Sequence, residues 1–392
     1  MRLLHTSDWH LGRSFHGVDL VAAQAAMVDG LVDVVRSERV DAVLVSGDLY
    51  DRALPPVDAV ELWGQTLERL TDAGAAVVVI SGNHDSARRL GGGARLLERA
   101  RVHIRSDVTR CADPVMLEDE YGEVAIYPVP YLEPDVVRPL LSAAGGPPDP
   151  ALRTHAGVLR AAVDRCRDDL AGKARLGLRS VVMAHAFVAG GAPSASEREL
   201  VVGGAGQVPP SSLAGFDYVA LGHLHGPQVI GDGSVRYAGS PLAYSFSEDR
   251  HRKGAWLVEL GAQGLAAVEA VPTVTPRALV RVRGTMIELT TAAAFDGAEQ
   301  AFVSATVTDT ACPVGAMAQL QRRFPFAVEL SWQPEGGLAD LGGTYSSRVA
   351  VTDDLSVVES FVRHVRNAEP SDSERAALGE AIDQATRRRV EV

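Results

Sequence analysis

Five short apolar runs, at 2–7, 42–46, 76–81, 180–184 and 218–221, each stop abruptly at a polar cluster. Each is rich in Val, Leu or Ile, as a buried strand would be. Helical patterns fall between them, at 20–38, 57–73, 87–100 and 152–170, and 235–238 and 254–260 read as further strands. This alternation predicts α/β layering. Two Gly/Pro-rich stretches, 145–150 and 190–194, punctuate the pattern, and the second is expected to form a mobile rim of a pocket. If the five strands lie side by side in one sheet, their C-terminal ends meet on one edge. Ligands bind at that edge in open α/β sheets, so polar clusters more than two hundred positions apart would converge there.

The pattern changes after a hinge at 272–276. Segments 279–282 and 327–332 are strand-like, 303–308 alternates and 314–324 is helical, which predicts a small α+β domain. Two tail helices, 353–367 and 372–389, flank Glu369-Pro370-Ser371, and Ser371 followed by Glu374 marks a capping box. Phe361, Val362 and Val365 share one face of the first, and Leu378, Ile382 and Ala385 one face of the second. Such faces at a chain end predict a partner surface. The expected domains are 1–272, 276–350 and 351–392.

Composition narrows the class. The 392 residues are 46% hydrophobic, ample for a packed core, and no stretch has the ~18 apolar residues of a membrane span. His5 and Asp8 interrupt the first apolar run, so no signal peptide is read, and a cytoplasmic protein is expected. Cys111, Cys166 and Cys312 form no CxxC pair and are expected to be buried small hydrophobes. The net charge of −12 counts against tight unaided DNA binding. Two divalent cations beside Asp8 and Asp48 would still leave a pocket positive enough for a phosphate.

The polar clusters carry the chemistry. They are Asp8-Trp9-His10, Gly47-Asp48, Gly82-Asn83-His84-Asp85, His185 and Gly222-His223-Leu224-His225, with five of the chain's eleven histidines. Each alone is an ordinary strand-end turn or a core histidine; the conjunction, in this order and at strand ends, is what points to a site. Carboxylate, amide and imidazole donors without thiolates suit Mn²⁺, Fe²⁺, Zn²⁺ or Mg²⁺. A carboxylate such as Asp48 can bridge two ions, and an ion pair ~3.5–4 Å apart clamps a phosphoryl group and acidifies bound water. Hydrolysis of a phosphoester is the natural use.

The set DxH, GD, GNHD, H and GHxH resembles the calcineurin-like metallophosphoesterase superfamily. The wording around it, His5-Thr6-Ser7-Asp8-Trp9-His10-Leu11-Gly12, Ser46-Gly47-Asp48-Leu49-Tyr50-Asp51, Ser81-Gly82-Asn83-His84-Asp85-Ser86 and Tyr237-Ala238-Gly239-Ser240-Pro241, resembles the bacterial SbcD nuclease subunits. Gly284 and Arg323-Phe324-Pro325 resemble that family's capping domain, and the tail helices its partner-docking element.

The resemblance implies an α/β fold: a metallophosphoesterase β-sandwich flanked by helices, a small α+β capping domain and a C-terminal helical tail. It implies that Asp8, His10 and His225 hold one metal, Asn83, His185 and His223 the other, and that Asp48 bridges them. His84 would contact the scissile phosphate or protonate the leaving oxygen. Asp85 would either orient His84 or cap the helix after Ser86. The implied activity is an Mn²⁺-dependent exonuclease and endonuclease on DNA ends and hairpins. The implied assembly is a homodimer within a heterotetramer with an SbcC-type ATPase, near the nucleoid. Arg13, Arg52, Arg88, Arg89, Arg250 and Arg252 are candidates for the DNA backbone, whereas Trp9, Phe15, Tyr50 and Phe187 are expected to pack rather than stack on bases. Rival readings are a phosphomonoesterase or nucleotide phosphodiesterase on the same fold, which fold alone does not separate, and a non-catalytic scaffold for the ATPase.

Overall fold

In the computed structural model the described residues are 1–142, 149–173, 178–197, 207–335, 354–366 and 369–390; for 354, 360, 363–366 and 383–390 only the backbone is described. The chain divides into two compact units, Met1–Ala278 and Leu279–Val392.

The first unit contains two six-stranded sheets. One runs Gly264–Pro272, Gly254–Gly261, Arg2–Thr6, Ala42–Ser46, Ala76–Ile80, Val102–Arg105, with its last four strands parallel. The other runs Gln228–Ile230, Val235–Tyr237, Tyr218–Gly222, Arg179–His185, Gly122–Val129, Val115–Asp119, parallel through its four inner strands. Leu3, Leu44, Val78, Ile126, Met183, Tyr218 and Val258 form the core between them. The intervening Val43, Val45, Val77 and Val79 are also buried, facing the side where helix Val57–Asp72 packs on its sheet and helix Val21–Ser37 packs on that helix. On the second sheet's outer side, Ala125, Tyr127, Val182 and Leu221 join Val137, Leu159 and Val163 of helices Pro134–Leu141 and His155–Gly172. Strands buried on both faces read as continuous apolar runs, which is why the five were visible in the sequence.

The five runs therefore end in two sheets, not one. Three belong to the first sheet and two to the second, and face-to-face packing brings their ends together. The expected helix at 87–100 is also corrected. Gly91, Gly92 and Gly93 split it into Ala87–Leu90, Ala94–Leu97 and a 3₁₀ turn, with Gly93 at φ +76°. The helix expected from 152 begins at His155, because the Thr154 hydroxyl accepts the Gly157 N–H (3.0 Å). Cys111 and Cys166 are buried, but Cys312 is exposed. Most of the 145–150 loop lies outside the described residues.

In the second unit, strands Leu279–Gly284, Phe302–Val307 and Ala327–Trp332 form a parallel sheet. Helices Met286–Thr291 and Ala316–Arg323 connect them, around Val282, Leu289, Val303, Leu320 and Phe324. The tail helices Asp354–Arg366 and Asp372–Val390 contact each other, and Arg375 pairs with Glu359 at 2.7 Å. The Ser371 amide donates to Glu374 (2.9 Å) and the Glu374 amide to the Ser371 hydroxyl (3.3 Å), completing the capping box. Phe361 is 54% exposed, and the side chains of Val365 and Ala385 lie outside the description. Among the described residues, no helix is long and apolar enough to cross a membrane.

Candidate metal centre

The strand ends turn into the cluster through unusual backbone. Asp8, His10, Asp48 and His223 have φ of 54°, 44°, 49° and 107°, a region that side chains other than glycine rarely occupy. Such conformations cost about 1–3 kcal/mol each and persist where surrounding structure enforces them. Here the two loops after the first strands brace each other: Asp8 N–H donates to Gly47 O (3.0 Å), His10 N–H to Asp48 O (3.0 Å) and Leu11 N–H to Leu49 O (2.9 Å). Two glycines are required by close approach. A Cβ on Gly82 would lie 2.1 Å from Asp48 Oδ1, and one on Gly47, at φ +93°, 2.3 Å from His185 Nδ1.

Asp85 makes no hydrogen bond to the His84 ring, and the short helix after Ser86 has no side-chain cap. Its carboxylate accepts the N–H groups of Gly82 (2.9 Å), Tyr50 (3.0 Å) and Leu49 (3.1 Å), tying the Asp48 loop to the Asn83 loop. Burial, and then the neighbouring Asp48 charge, raise its pKa to about 6 against those three donors.

The side chains converge. Asp8, Asp48 and His185, then Asp8, His10 and His225, then His10, Asp48 and His84 form groups whose ligand atoms lie within 4.8 Å of one another. Asn83 Oδ1 joins them, 2.9 Å from His185 Nε2 and 3.3 Å from His223 Nδ1. Asp48 Oδ2 lies 3.5 Å from His185 Nε2 and 3.7 Å from His10 Nε2.

These contacts leave more acceptors than protons. His185 Nδ1–H donates to Ser46 O (2.9 Å), so in the neutral ring the Nε2 lone pair faces the amide oxygen of Asn83. His10 Nε2 and His225 Nε2 face each other at 3.1 Å. His10 Nδ1 is buried without a hydrogen bond, 3.6 Å from Asp51 Oδ1. A donor set of this kind fits divalent cations seated between the facing lone pairs.

Titration follows the same crowding. Burial works against a charged His185, yet the Asp48 carboxylate raises it to about 9. Burial and then the His185 charge lower His223 to about 3. Asp48 is held well below the carboxylate range by His185, His10 and His84, in spite of burial.

His84 stands at the mouth of the cluster. Its amide N–H donates to Asp48 Oδ1 (2.8 Å) and its Nδ1–H to Asp51 O (2.8 Å), which leaves Nε2 for another partner. Its ring meets His10 edge-on, with centroids 4.7 Å apart.

Several residues around the cluster escaped sequence reasoning. Glu248, Lys253, Ser196 and Glu197 surround His225, and Tyr131 sits edge-on to His185. One clue was present: the chain has only two lysines, and one of them, Lys253, follows Glu248 closely.

Of the candidate arginines, Arg13 approaches the cluster, 3.5 Å from Asp51 and over the Tyr244 ring. Arg52, Arg88, Arg89, Arg250 and Arg252 are exposed. Arg88 lines a groove of about 830 Å³ that opens beside Asn83 and Tyr131. Arg250 and Arg252 line a different groove, with His251 and Trp256. Trp9 packs on Trp63, and Phe15 on Phe246. Tyr50 is buried, and Phe187 lies against His223. The 190–194 rim is tied by Ala192 N–H to Gln228 (2.7 Å) and by Ser194 N–H to Glu197 (2.6 Å).

Residues 1–227, which carry every one of these clusters, match the calcineurin-like phosphoesterase family. The chain belongs to that family. Calcineurin-like phosphoesterases are metal-dependent phosphoester hydrolases, and the acceptor-rich cluster is where this member would bind its ions. Among solved structures, TT1561 of Thermus thermophilus is 14% identical over 69% of this chain and 98% of that one, with a TM-score of 0.39. GAP50, the anchor in the inner membrane complex of Plasmodium, is 12% identical over 86% and 98%, also with a TM-score of 0.39.

Proposed function

We propose that this phosphoesterase is a DNA phosphodiesterase: an Mn²⁺-dependent exonuclease and endonuclease of SbcD type. It would act on duplex ends and hairpins in DNA repair, as a homodimer joined to an SbcC-type ATPase. The observation that carries this reading is the second compact unit. A parallel sheet with its own core, followed by two helices, adds more than a hundred residues that hydrolysis of a small phosphomonoester does not need. The motif wording of the first unit supports the same reading.

In this reading Asp8, His10 and His225 hold one divalent ion, Asn83, His185 and His223 the other, and Asp48 both. When bound, the ions supply Lewis acidity at the phosphoryl oxygens and a more acidic water. The remaining work falls to the chain. Ser46 O fixes the His185 tautomer so that Nε2 points inward. Asp85 locks the two loops that carry Asp48 and Asn83. His84, turned by Asp51 O, presents Nε2 to the leaving oxygen and delivers or stabilises its proton. Arg13, exposed Arg52 and the groove beside Asn83 offer the phosphate backbone a path, and the ATPase would supply the affinity that a net charge of −12 withholds.

The test is incubation of the purified chain with linear duplex, hairpin and p-nitrophenyl phosphate substrates, with and without Mn²⁺. Mn²⁺-dependent shortening of duplex and opening of hairpins is expected. Hydrolysis confined to the monoester would contradict the nuclease reading.

A further inference from the structure

His225 is held differently from the other side chains of the cluster. Its ring Nδ1–H faces two acceptors, Ser196 Oγ (2.7 Å) and Glu248 Oε1 (3.3 Å), and the Ser196 O–H donates in turn to Glu248 Oε1. Its main-chain carbonyl accepts from Lys253 Nζ (2.8 Å), and its amide N–H donates to Glu197 (2.7 Å). Lys253 spends its other two protons on Glu248 Oε2 and Ser240 Oγ. Glu248 is 1% exposed and Lys253 6%. A buried ion pair recovers its desolvation cost only with good geometry, and an apolar pair of the same size is often at least as stable. Packing alone therefore gives no reason for a carboxylate and an ammonium here. On the opposite side of the cluster, the His185 ring is steered by a neutral main-chain carbonyl, Ser46 O.

We infer that Glu248 and Lys253 are positioning residues that, through the His225 ring nitrogen, Ser196 and the His225 carbonyl, fix the tautomer and orientation of His225 and so set the affinity of one ion site and not the other. The inference rests on the two-ion reading of the cluster. Ser196, closer than the carboxylate itself, joins Glu248 in holding Nδ1–H, so that Nε2 is the nitrogen left for a cation. Lys253 pins the main chain on which the ring turns. Outer partners of a metal-binding histidine are typically worth about 10–100-fold in metal affinity.

The test is calorimetric titration of the full-length chain, freed of metal, with Mn²⁺ alone, beside elemental analysis of the reloaded protein. The variants are Ser196→Ala, which removes the shorter of the two hydrogen bonds to the ring nitrogen without stranding a buried charge, and the double variant Glu248→Gln/Lys253→Met, which removes both charges together. The parent should bind two ions per chain. Each variant should keep one ion at parental affinity and bind the other about 10–100-fold more weakly, with an unfolding temperature close to the parent's for Ser196→Ala. A double variant that does not fold leaves the decision to Ser196→Ala. Equal weakening of both ions, or parental binding of both in folded Ser196→Ala, would overturn the inference. A parent that binds fewer than two ions would overturn it together with the two-ion reading. A parent that binds two ions, shows the one-site loss in its variants and leaves DNA uncut would refute the nuclease function alone.

Discussion

Both units run parallel strands into polar residues at their C-terminal ends, yet the polar groups are used differently. In the second unit they satisfy backbone groups or one another. Asp309 accepts the Met286 N–H (2.6 Å), Thr285 and Glu288 form a reciprocal capping box, and Gln333 accepts from Arg283 (2.8 Å). In the first unit His10 Nε2 stands against His225 Nε2 and, once its ring is neutral, His185 Nε2 against Asn83 Oδ1, acceptor facing acceptor. The backbone beneath them is bent into left-handed conformations at four positions. The difference marks the first as a place built for cations and the second as a place built to be a stable surface.

The comparison breaks most sharply at Asp48, the carboxylate shared by both halves of the cluster. Asp48→Ala should lower phosphodiester hydrolysis by at least ~10³-fold and reduce metal content at both sites. A variant that holds two ions as tightly as the parent would remove Asp48 from the centre. Next comes His84→Ala, expected to lose ~10²–10⁴-fold in rate while retaining near-normal metal content. Loss of an ion in that variant would make His84 a ligand instead.

A third effect is set by protons. His185, raised to about 9, holds its proton below that pH, and a metal ion must displace it. Mn²⁺ affinity should therefore climb with pH, by up to ~10-fold per unit, and level off near pH 9. Titrations in buffers of different ionisation heat should report proton release below that plateau, and a pH-independent affinity would refute the assignment.

Smaller effects belong to the second unit. Arg323 donates to the carbonyls of Leu289 (3.1 Å) and Ala292 (2.8 Å) at the end of helix Met286–Thr291. Arg323→Ala should cost roughly 1–3 kcal/mol of that unit's stability, seen in thermal unfolding, with hydrolysis of a small phosphodiester unchanged. Smallest of all, removal of residues 351–392 should leave that hydrolysis at the parental rate while abolishing co-purification with the proposed SbcC-type ATPase. An insoluble truncation would show that the tail belongs to the unit's fold, and retained partner binding would end the docking proposal.

What the sequence disclosed and what it hid follow the same physics. Strands such as Ala42–Ser46 and Ala76–Ile80 were legible because burial on both faces demands an unbroken apolar run. Val115–Asp119 and Gln228–Ile230, short outer strands with mixed burial, left little pattern to read. Periodicity says nothing about which sheet a strand joins, so two packed sheets were read as one edge. The helix read across 87–100 failed because its apolar spacing was counted past three glycines. The residues brought to the cluster were visible as strand-end motifs. Their supports were not: Glu248 and Lys253 look like surface charges in a string, and only the fold buries them. Asp85 was visible, but its three amide partners on two loops were not.

The central claim is that two cations sit at the C-terminal ends of these strands and share Asp48. Anomalous diffraction from crystals soaked in Mn²⁺ tests it most directly. Two peaks should flank the Asp48 carboxylate, one beside Asp8, His10 and His225 and the other beside Asn83, His185 and His223. A single peak, or peaks away from Asp48, would contradict the account.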